Sequence, residues 1–162
     1  MSLQISQKNV PGLLHLRGKK LNEILASFDA ADLQVFQYKS LAENQFVAKL
    51  GEEELYVCAD GSVSVSTEHN QYAFRRGDAI FEVAGNWKNL MAEVCIYDFR
   101  QSCPGDFLMV AMAGISAWLL IPEEGKPLIL GCDPTFGHYL LETLTKQIET
   151  SPFLKTEREN DD

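Results

Sequence analysis

The sequence predicts an α+β fold in which two similar strand–helix–hairpin halves, residues 13–78 and 79–150, pack together as one domain. Two internal similarities predict it, together with the order in which they occur. LLHLRGKKLNEIL (13–25) and IFEVAGNWKNLMAE (80–93) each run strand, glycine, helix, displaced by one residue at the helix. FVAKLGEEELYVCAD (46–60) and AWLLIPEEGKPLILGCD (117–133) each run strand, acidic turn, strand, cysteine, aspartate. The order is the same in both halves, and neither half alone could bury both faces of its sheet.

In the first half, residues 1–12 read as an irregular arm closed by Pro11 and Gly12. A short strand over 13–17 turns at Gly18 into a helix over 19–29, where Leu21, Ile24, Leu25 and Phe28 recur at helical spacing. A further strand is expected over 33–38, then a hairpin of 46–50 with 55–59 across Gly51, Glu52, Glu53 and Glu54. Asp60 and Gly61 mark a turn. Residues 62–78 are polar and hold little pattern, with Tyr72 and Phe74 available to pack on the core.

The second half begins with a strand over 80–84 that ends at Gly85. Asn86 is placed to cap a helix carrying Trp87, Leu90, Met91 and Val94 on one face. A short strand over 96–99 leads into a loop over 100–106. Residues 107–121 carry no charge, too short a run for a membrane span of about 20 residues. They read as one long buried strand, bent near Gly114. Residues 126–132 return as its hairpin partner. Asp133 and Pro134 then start a helix in which Phe136, Leu140, Leu144 and Ile148 recur at four-residue steps, widened by Tyr139 and Leu141. From Ser151 onward, 151–162 reads as a charged, solvated tail.

A chain of 162 residues with 46% apolar content has the material for a core. A net charge of −9 argues against nucleic acid or an anionic membrane as partner, since both demand positive surface. Residues 1–20 hold no apolar stretch behind a basic start, so no signal peptide is expected, and no transmembrane helix either. Cys58, Cys95, Cys103 and Cys132 form no C-x-x-C pair, and Cys58 and Cys132 end apolar strands, where a reduced thiol acts as a small hydrophobe. The expected setting is cytoplasmic, with free thiols.

Each candidate for chemistry stands beside a structural explanation. His15 alternates with Leu14 and Leu16 and should face away from the core. Cys132 and His138, with Cys95 or Cys103, could be drawn as a metal site, but the spacings match no zinc pattern. Cys132 lies just before a helix start, where a thiolate is favoured, and His138 could serve as its base; nothing in the sequence supplies a third, orienting group. The acidic runs at Glu52, Glu53 and Glu54 and at Glu123 and Glu124 sit in turns, where solvated acid is the ordinary state. Phosphate-binding glycine loops are absent. Trp87 and Trp118 lie on apolar faces and read as core or interface. Asp98 and Arg100, in IYDFR, could bond backbone N–H groups or a ligand, with the structural role favoured. No catalytic residues and no metal ligands are assigned, and Asp98 and Arg100 remain as candidates for binding a cofactor.

The second half resembles the gamma subunit of heterotetrameric sarcosine oxidase, within the wider superfamily of aminomethyltransferase and related folate-binding proteins. The resemblance runs from FEVAG through a helix ending at Cys95, then IYDF and the Pro104–Gly105 turn. It continues through AMAGISAWLL to LILGCDPTFGHYLLETL. Cys95 and Asp98 fit a Cys-x-x-Asp-like element. Asp133, Pro134 and Thr135 stand where the family commonly carries Arg-Ser, and the K-G-C-Y-x-G-Q type motif of the folate-dependent maintenance proteins is absent. LLHLRG, with its helix and hairpin, looks like the family's first half. The resemblance implies two similar α+β halves, as in the folate-binding domain of aminomethyltransferase-like proteins. It also implies a subunit without catalytic residues that packs against a larger flavin-bearing partner, with no cofactor of its own. The alternatives are a stand-alone protein or enzyme binding a reduced folate, and a homo-oligomeric scaffold. A folate polyglutamate tail would need cations from Arg17, Lys19, Lys20, Arg75 or Arg76.

Overall fold

The computed structural model describes residues 2–155. In chain order its strands are β1 (Gln4–Gln7), β2 (Leu13–Arg17), β3 (Gln37–Ser40), β4 (Phe46–Gly51) and β5 (Glu54–Cys58). They continue with β6 (Tyr72–Arg76), β7 (Ala79–Ala84), β8 (Phe107–Met112), β9 (Ile115–Leu120) and β10 (Leu128–Cys132). The helices are α1 (Asn22–Ser27), α2 (Trp87–Val94), α3 (Gly137–Thr150) and α4 (Pro152–Lys155). The strands make two five-stranded antiparallel sheets, one in each of two compact units.

The first unit comprises 9–77 with 105–107, and its sheet runs β3-β4-β5-β2-β6. Strand β5 pairs along its length with β2 on one side and β4 on the other, so Leu55 and Val57 lie at the centre. They meet Leu16 and Val47 on one face, where Leu21, Ile24, Leu25 and Ala30 close a small core. The helix is shorter than its apolar spacing predicts because Lys20 and Asp29, both at positive φ, bracket it. The strand expected over 33–38 forms instead at Gln37–Ser40, since Phe36 at φ 62° breaks the extended backbone. Residues 62–78 yield one strand, β6, at the sheet edge. Tyr72 and Phe74 do not pack inward there but remain 50% and 52% exposed.

The second unit comprises 2–8, 78–104 and 108–155 among the described residues, and its sheet runs β1-β7-β10-β9-β8. The expected irregular arm is thus a strand in part: Gln4–Gln7 pairs with Ala84 back to Phe81. The single long strand expected over 107–121 is two strands. Ala113 at φ 49° and Gly114 at φ 84° make the two-residue turn with both φ positive that joins twisted antiparallel neighbours, folding β8 back on β9. Without the Asn or Asp common in such turns, Ala-Gly gave no hairpin signal. The strand expected over 96–99 is reduced to one bridge from Cys95 to Met112, after which Ile96 points fully into solvent.

The core of this unit gathers Phe81 and Val83, Leu119, Leu128 and Leu130 from the sheet against Leu90 and Met91 of α2 and Leu140 and Leu144 of α3. Asp133 accepts a bond from Thr135 N at 2.9 Å and caps a 3-10 turn that leads into α3, so its capping role is met one turn before the helix proper. Of the α3 stripe, Leu140, Leu144 and Ile148 are buried, whereas Phe136 and Tyr139 stay 45% and 46% exposed.

The expected tail begins later than Ser151. Ser151 and Leu154 are buried, and α4 follows α3 directly. The Ser151 hydroxyl donates to Glu93 at 2.6 Å, and the Gln147 side chain donates to the other carboxylate oxygen. Residues 156–162, the charged part of that expectation, lie outside the described residues. With both carboxylate oxygens of Glu93 engaged, Glu93→Ala is expected to cost about 2 kcal/mol, the scale of bonds to a charged group. Urea unfolding measures this; a loss of a few tenths would mean the tie is slack.

Candidate functional site

Asp98 and Arg100 lie on the segment that follows α2. Asp98 caps the 3-10 turn Phe99–Gln101, accepting from Arg100 N at 3.1 Å. The Arg100 guanidinium closes on the same carboxylate through Nε at 2.8 Å and Nη2 at 2.9 Å. These bonds hold the Asp98 carboxyl below its ordinary range and the Arg100 guanidinium above its own. The pair therefore spends its charge on itself, two residues apart, with the Arg100 side chain 90% exposed. It is a local turn staple, and exposed pairs of this kind stabilise little.

Cys132 and His138 do not form a nucleophile and base. Cys132 is buried, and burial, followed by the charges of Asp78 and Asp133, pushes its thiol up to about 11. His138 is 93% exposed on α3 and faces Glu142 at 3.6 Å. Cys58 behaves alike: burial, with Asp60 second, raises it to about 11. Cys95 is also buried, whereas Cys103 is exposed, and none of the four is in a disulfide. Native protein at pH 8 should therefore lose only Cys103 to iodoacetamide, and all four thiols after denaturation, as counted by mass. Rapid native labelling of Cys132 would overturn this reading. Among the described residues no group of three or more His, Cys, Asp or Glu side chains is disposed to hold a metal ion.

Clefts lie in both units. In the second unit a cleft of about 560 Å³ lies between the start of α2, the Ser102–Pro104 loop and the 121–125 turn. Trp87 and Ile121 give it apolar wall, Lys88 sits over the Trp87 ring at 5.6 Å, and Glu123 and Glu124 stand opposite. Asp98 and Arg100 are not part of its lining. In the first unit a cleft of about 430 Å³ runs beside α1, where Ile24 and Phe28 face Ser62, Ser64 and Ser66. Gln71 braces that loop, accepting from Ser66 N at 2.9 Å and donating to Lys19 O at 2.6 Å.

The most organised polar cluster is one that sequence reasoning passed over. His15 does turn away from the small core of its unit, as alternation predicts, yet its ring is held in place. Its Nε2 lies 2.6 Å from Glu54 Oε1, and its edge meets Tyr56 at 5.0 Å and Phe74 at 6.5 Å between ring centroids. Arg76 stacks over Tyr56 at 5.2 Å. The register explains the grouping: His15 lies opposite Tyr56 on β5 and opposite Phe74 on β6. Period-two alternation on each strand was visible in sequence; the pairing that superimposes the three was not. The same pairing sets Arg17 beside Tyr72 and brings Arg75 and Arg76 along β2, while Lys19 N donates to His69 O just before β6.

Two five-stranded antiparallel sheets with these helices give the chain an α+β fold that solved structures share. Among solved structures the chain is similar to a chain of heterotetrameric sarcosine oxidase from Corynebacterium sp. U-96, determined in complex with pyrrole 2-carboxylate. That match has a TM-score of 0.67 at 13% identity and covers 89% of this chain and 84% of that one. It is also similar to glycine cleavage system aminomethyltransferase T from Bartonella henselae, with a TM-score of 0.65 at 12% identity over 88% of this chain. The match takes in 45% of the aminomethyltransferase, so the chain corresponds to under half of that protein. At such identities the likeness establishes the fold. No family model matches the chain, and no curated protein matches it in sequence.

Proposed function

We propose that the chain is a non-catalytic subunit resembling the gamma subunit of sarcosine oxidase, which packs against a larger flavin-bearing protein in an amine-oxidising or one-carbon enzyme. The observation that carries this reading is the match to a sarcosine oxidase chain of comparable length, since similar shares of the two chains align. The fold in that assembly thus occurs as a small chain among partners, whereas the aminomethyltransferase embeds it in a chain more than twice as long as the match. The candidate chemistry points the same way: Asp98 is tied to Arg100, and Cys132 is shielded and without a base. Large apolar side chains stand in solvent, Ile96 at 102%, Met109 at 58% and Phe153 at 78%.

The flavin chemistry in this reading belongs to the partner. Reduced folate is brought into question by the fold, but neither cleft suits its glutamyl carboxylates: one faces Glu123 and Glu124, and the other is bordered by Glu23 and serines. We further read the two units as copies of one plan, supported by the parallel order β2-α1-β4-β5 and β7-α2-β9-β10. Reduced thiols at Cys58, Cys95 and Cys132 support a cytoplasmic setting, and among the described residues no helix is long and apolar enough to cross a membrane.

The test is purification of the tagged chain at native expression, with mass spectrometry and an absorbance scan over the flavin bands. A larger flavoprotein recovered in stoichiometric amount is expected. Recovery of the bare chain as a monomer would overturn the subunit reading.

A further inference from the structure

We propose that β6 is a docking strand: an extended acidic segment of a partner protein adds to its free edge, over Tyr72 and Phe74. The proposal rests on the subunit reading only in taking the partner to be a protein.

The two edges of the sheet in the first unit are treated differently. At the β3 edge, Tyr38 N donates to Gly105 O, Gln37 bridges Asp106, and Phe107 N donates to Phe36 O, so segment 105–107 covers it. At the β6 edge no strand follows among the described residues. Natural sheets blunt such an edge with proline, a bulge or a central charge, because its outward N–H and C=O groups are a template for another strand. YAFRR has no proline, and its register with β2 is unbroken from Tyr72 to Arg76. Its charges are gathered at one end.

The strand is also prepared for contact. Tyr72 and Phe74 meet edge to face at 5.3 Å, and Phe74 rests on the His15 ring that Glu54 anchors. Both aromatic rings are about half exposed yet held, so little side-chain freedom is left to lose on binding. Anchors of this type dominate interface energetics.

Charge selects the occupant. In a chain of net charge −9, Arg17, Lys19 and Lys20 cluster at the Tyr72 end of the strand and Arg75 lies towards the other. Of the acids alongside, Glu54 lies opposite Arg17 and is engaged by His15. A local basic stripe on an acidic body steers an acidic segment to it and turns a basic one away. Because side chains alternate along a strand, Tyr72 and Phe74 share one face while Ala73 and Arg75 share the other. The fitting segment therefore alternates apolar residues, laid on the aromatic pair, with acidic residues directed at Arg75. Backbone pairing supplies affinity and the alternation supplies selectivity.

The test uses the intact chain and a labelled nine-residue peptide of alternating valine and glutamate, read by fluorescence anisotropy and amide hydrogen exchange. The expected result is saturable binding that slows exchange across 72–76. Phe74→Ser and Arg75→Glu should each weaken binding at least tenfold, with thermal melts confirming that both variants fold. The same peptide N-methylated on alternate amides, or with lysine for glutamate, should bind at least tenfold more weakly. Binding that leaves 72–76 unprotected, equal binding by the N-methylated peptide, or no binding would each overturn the proposal. Concentration-dependent protection of 72–76 without peptide would assign the edge to a second copy instead, and also overturns it. None of these outcomes depends on recovery of a flavoprotein, so the two readings fail separately.

Discussion

Gly131→Ala is expected to destabilise the chain by about 3 kcal/mol, the upper end of the usual range for overpacking a filled interior. Gly131 lies directly opposite Trp118 across the β10–β9 pair, and the indole lies over it. A β-carbon at this position would sit 2.1 Å from Trp118 Cζ2 and 2.2 Å from Cε2, inside any real contact. The ring has no easy retreat, because its Nε1 donates to Asp78 Oδ2 at 2.8 Å and Trp118 is only 2% exposed. Moving the indole would strip Asp78 of that bond in a half-buried setting. Urea unfolding gives the magnitude, and a double-mutant cycle gives the cause. Trp118→Val removes the ring, so Gly131→Ala made in that background should cost less than 1 kcal/mol, non-additivity typical of residues in contact. Full additivity would show that Gly131 is needed for some reason other than the indole.

Phe81→Ala is expected to be costlier still, about 4 kcal/mol, from lost burial and the cavity left behind. Phe81 is 1% exposed on β7, which pairs with β1 on one side and β10 on the other. Its ring faces the helix side, with Val83, Leu130 and Leu140 in the same cluster, and its Cζ lies 4.0 Å from the point a β-carbon on Gly137 would occupy. Gly137 lets the start of α3 come down on Ala79 and Phe81, so collapse of helix onto strand is already complete and little relaxation remains to fill the void. A loss of this size is a large part of an ordinary domain's 5–15 kcal/mol. Phe81→Leu, which conserves most of the volume, should cost roughly 1 kcal/mol. If both variants lost the same amount, packing volume would not be the cause.

Much of the architecture was legible in the chain because the signals were local. Leu90 and Met91 on α2, and Leu140, Leu144 and Ile148 on α3, announce buried helix faces by spacing alone. Gly18 and Gly85 mark the strand-to-helix turns, and both carry positive φ in the structure. Where the reading failed, the deciding term was not local. An uncharged run over 107–121 fits one long strand as well as two, and only the Ala113–Gly114 backbone, at positive φ, turns it into a hairpin. Residues 151–155 read as the start of a tail because nothing in Ser-Pro-Phe-Leu-Lys shows that Glu93 lies within reach of Ser151.

The candidate site divides in the same way. Asp98 and Arg100 were visible as an acid and a base two residues apart, but their closure on each other depends on the 3-10 turn that follows. Cys132 and His138, six positions apart, suggested a reactive pair; the sheet buries one and α3 presents the other to solvent.

By itself the sequence determined the fold class, the helix faces, the acidic balance of the surface and the resemblance to a small oxidase subunit. These follow from periodicity, composition and short motifs, which are properties of neighbouring residues. Only the tertiary structure decided that His15, Glu54, Tyr56 and Phe74 form one cluster, that Gly131 faces Trp118, and that β6 ends the strand order of its sheet among the described residues. Those are matters of strand register and sheet order, and register is set by cross-strand packing summed over the whole sheet. No single stretch of chain carries that sum.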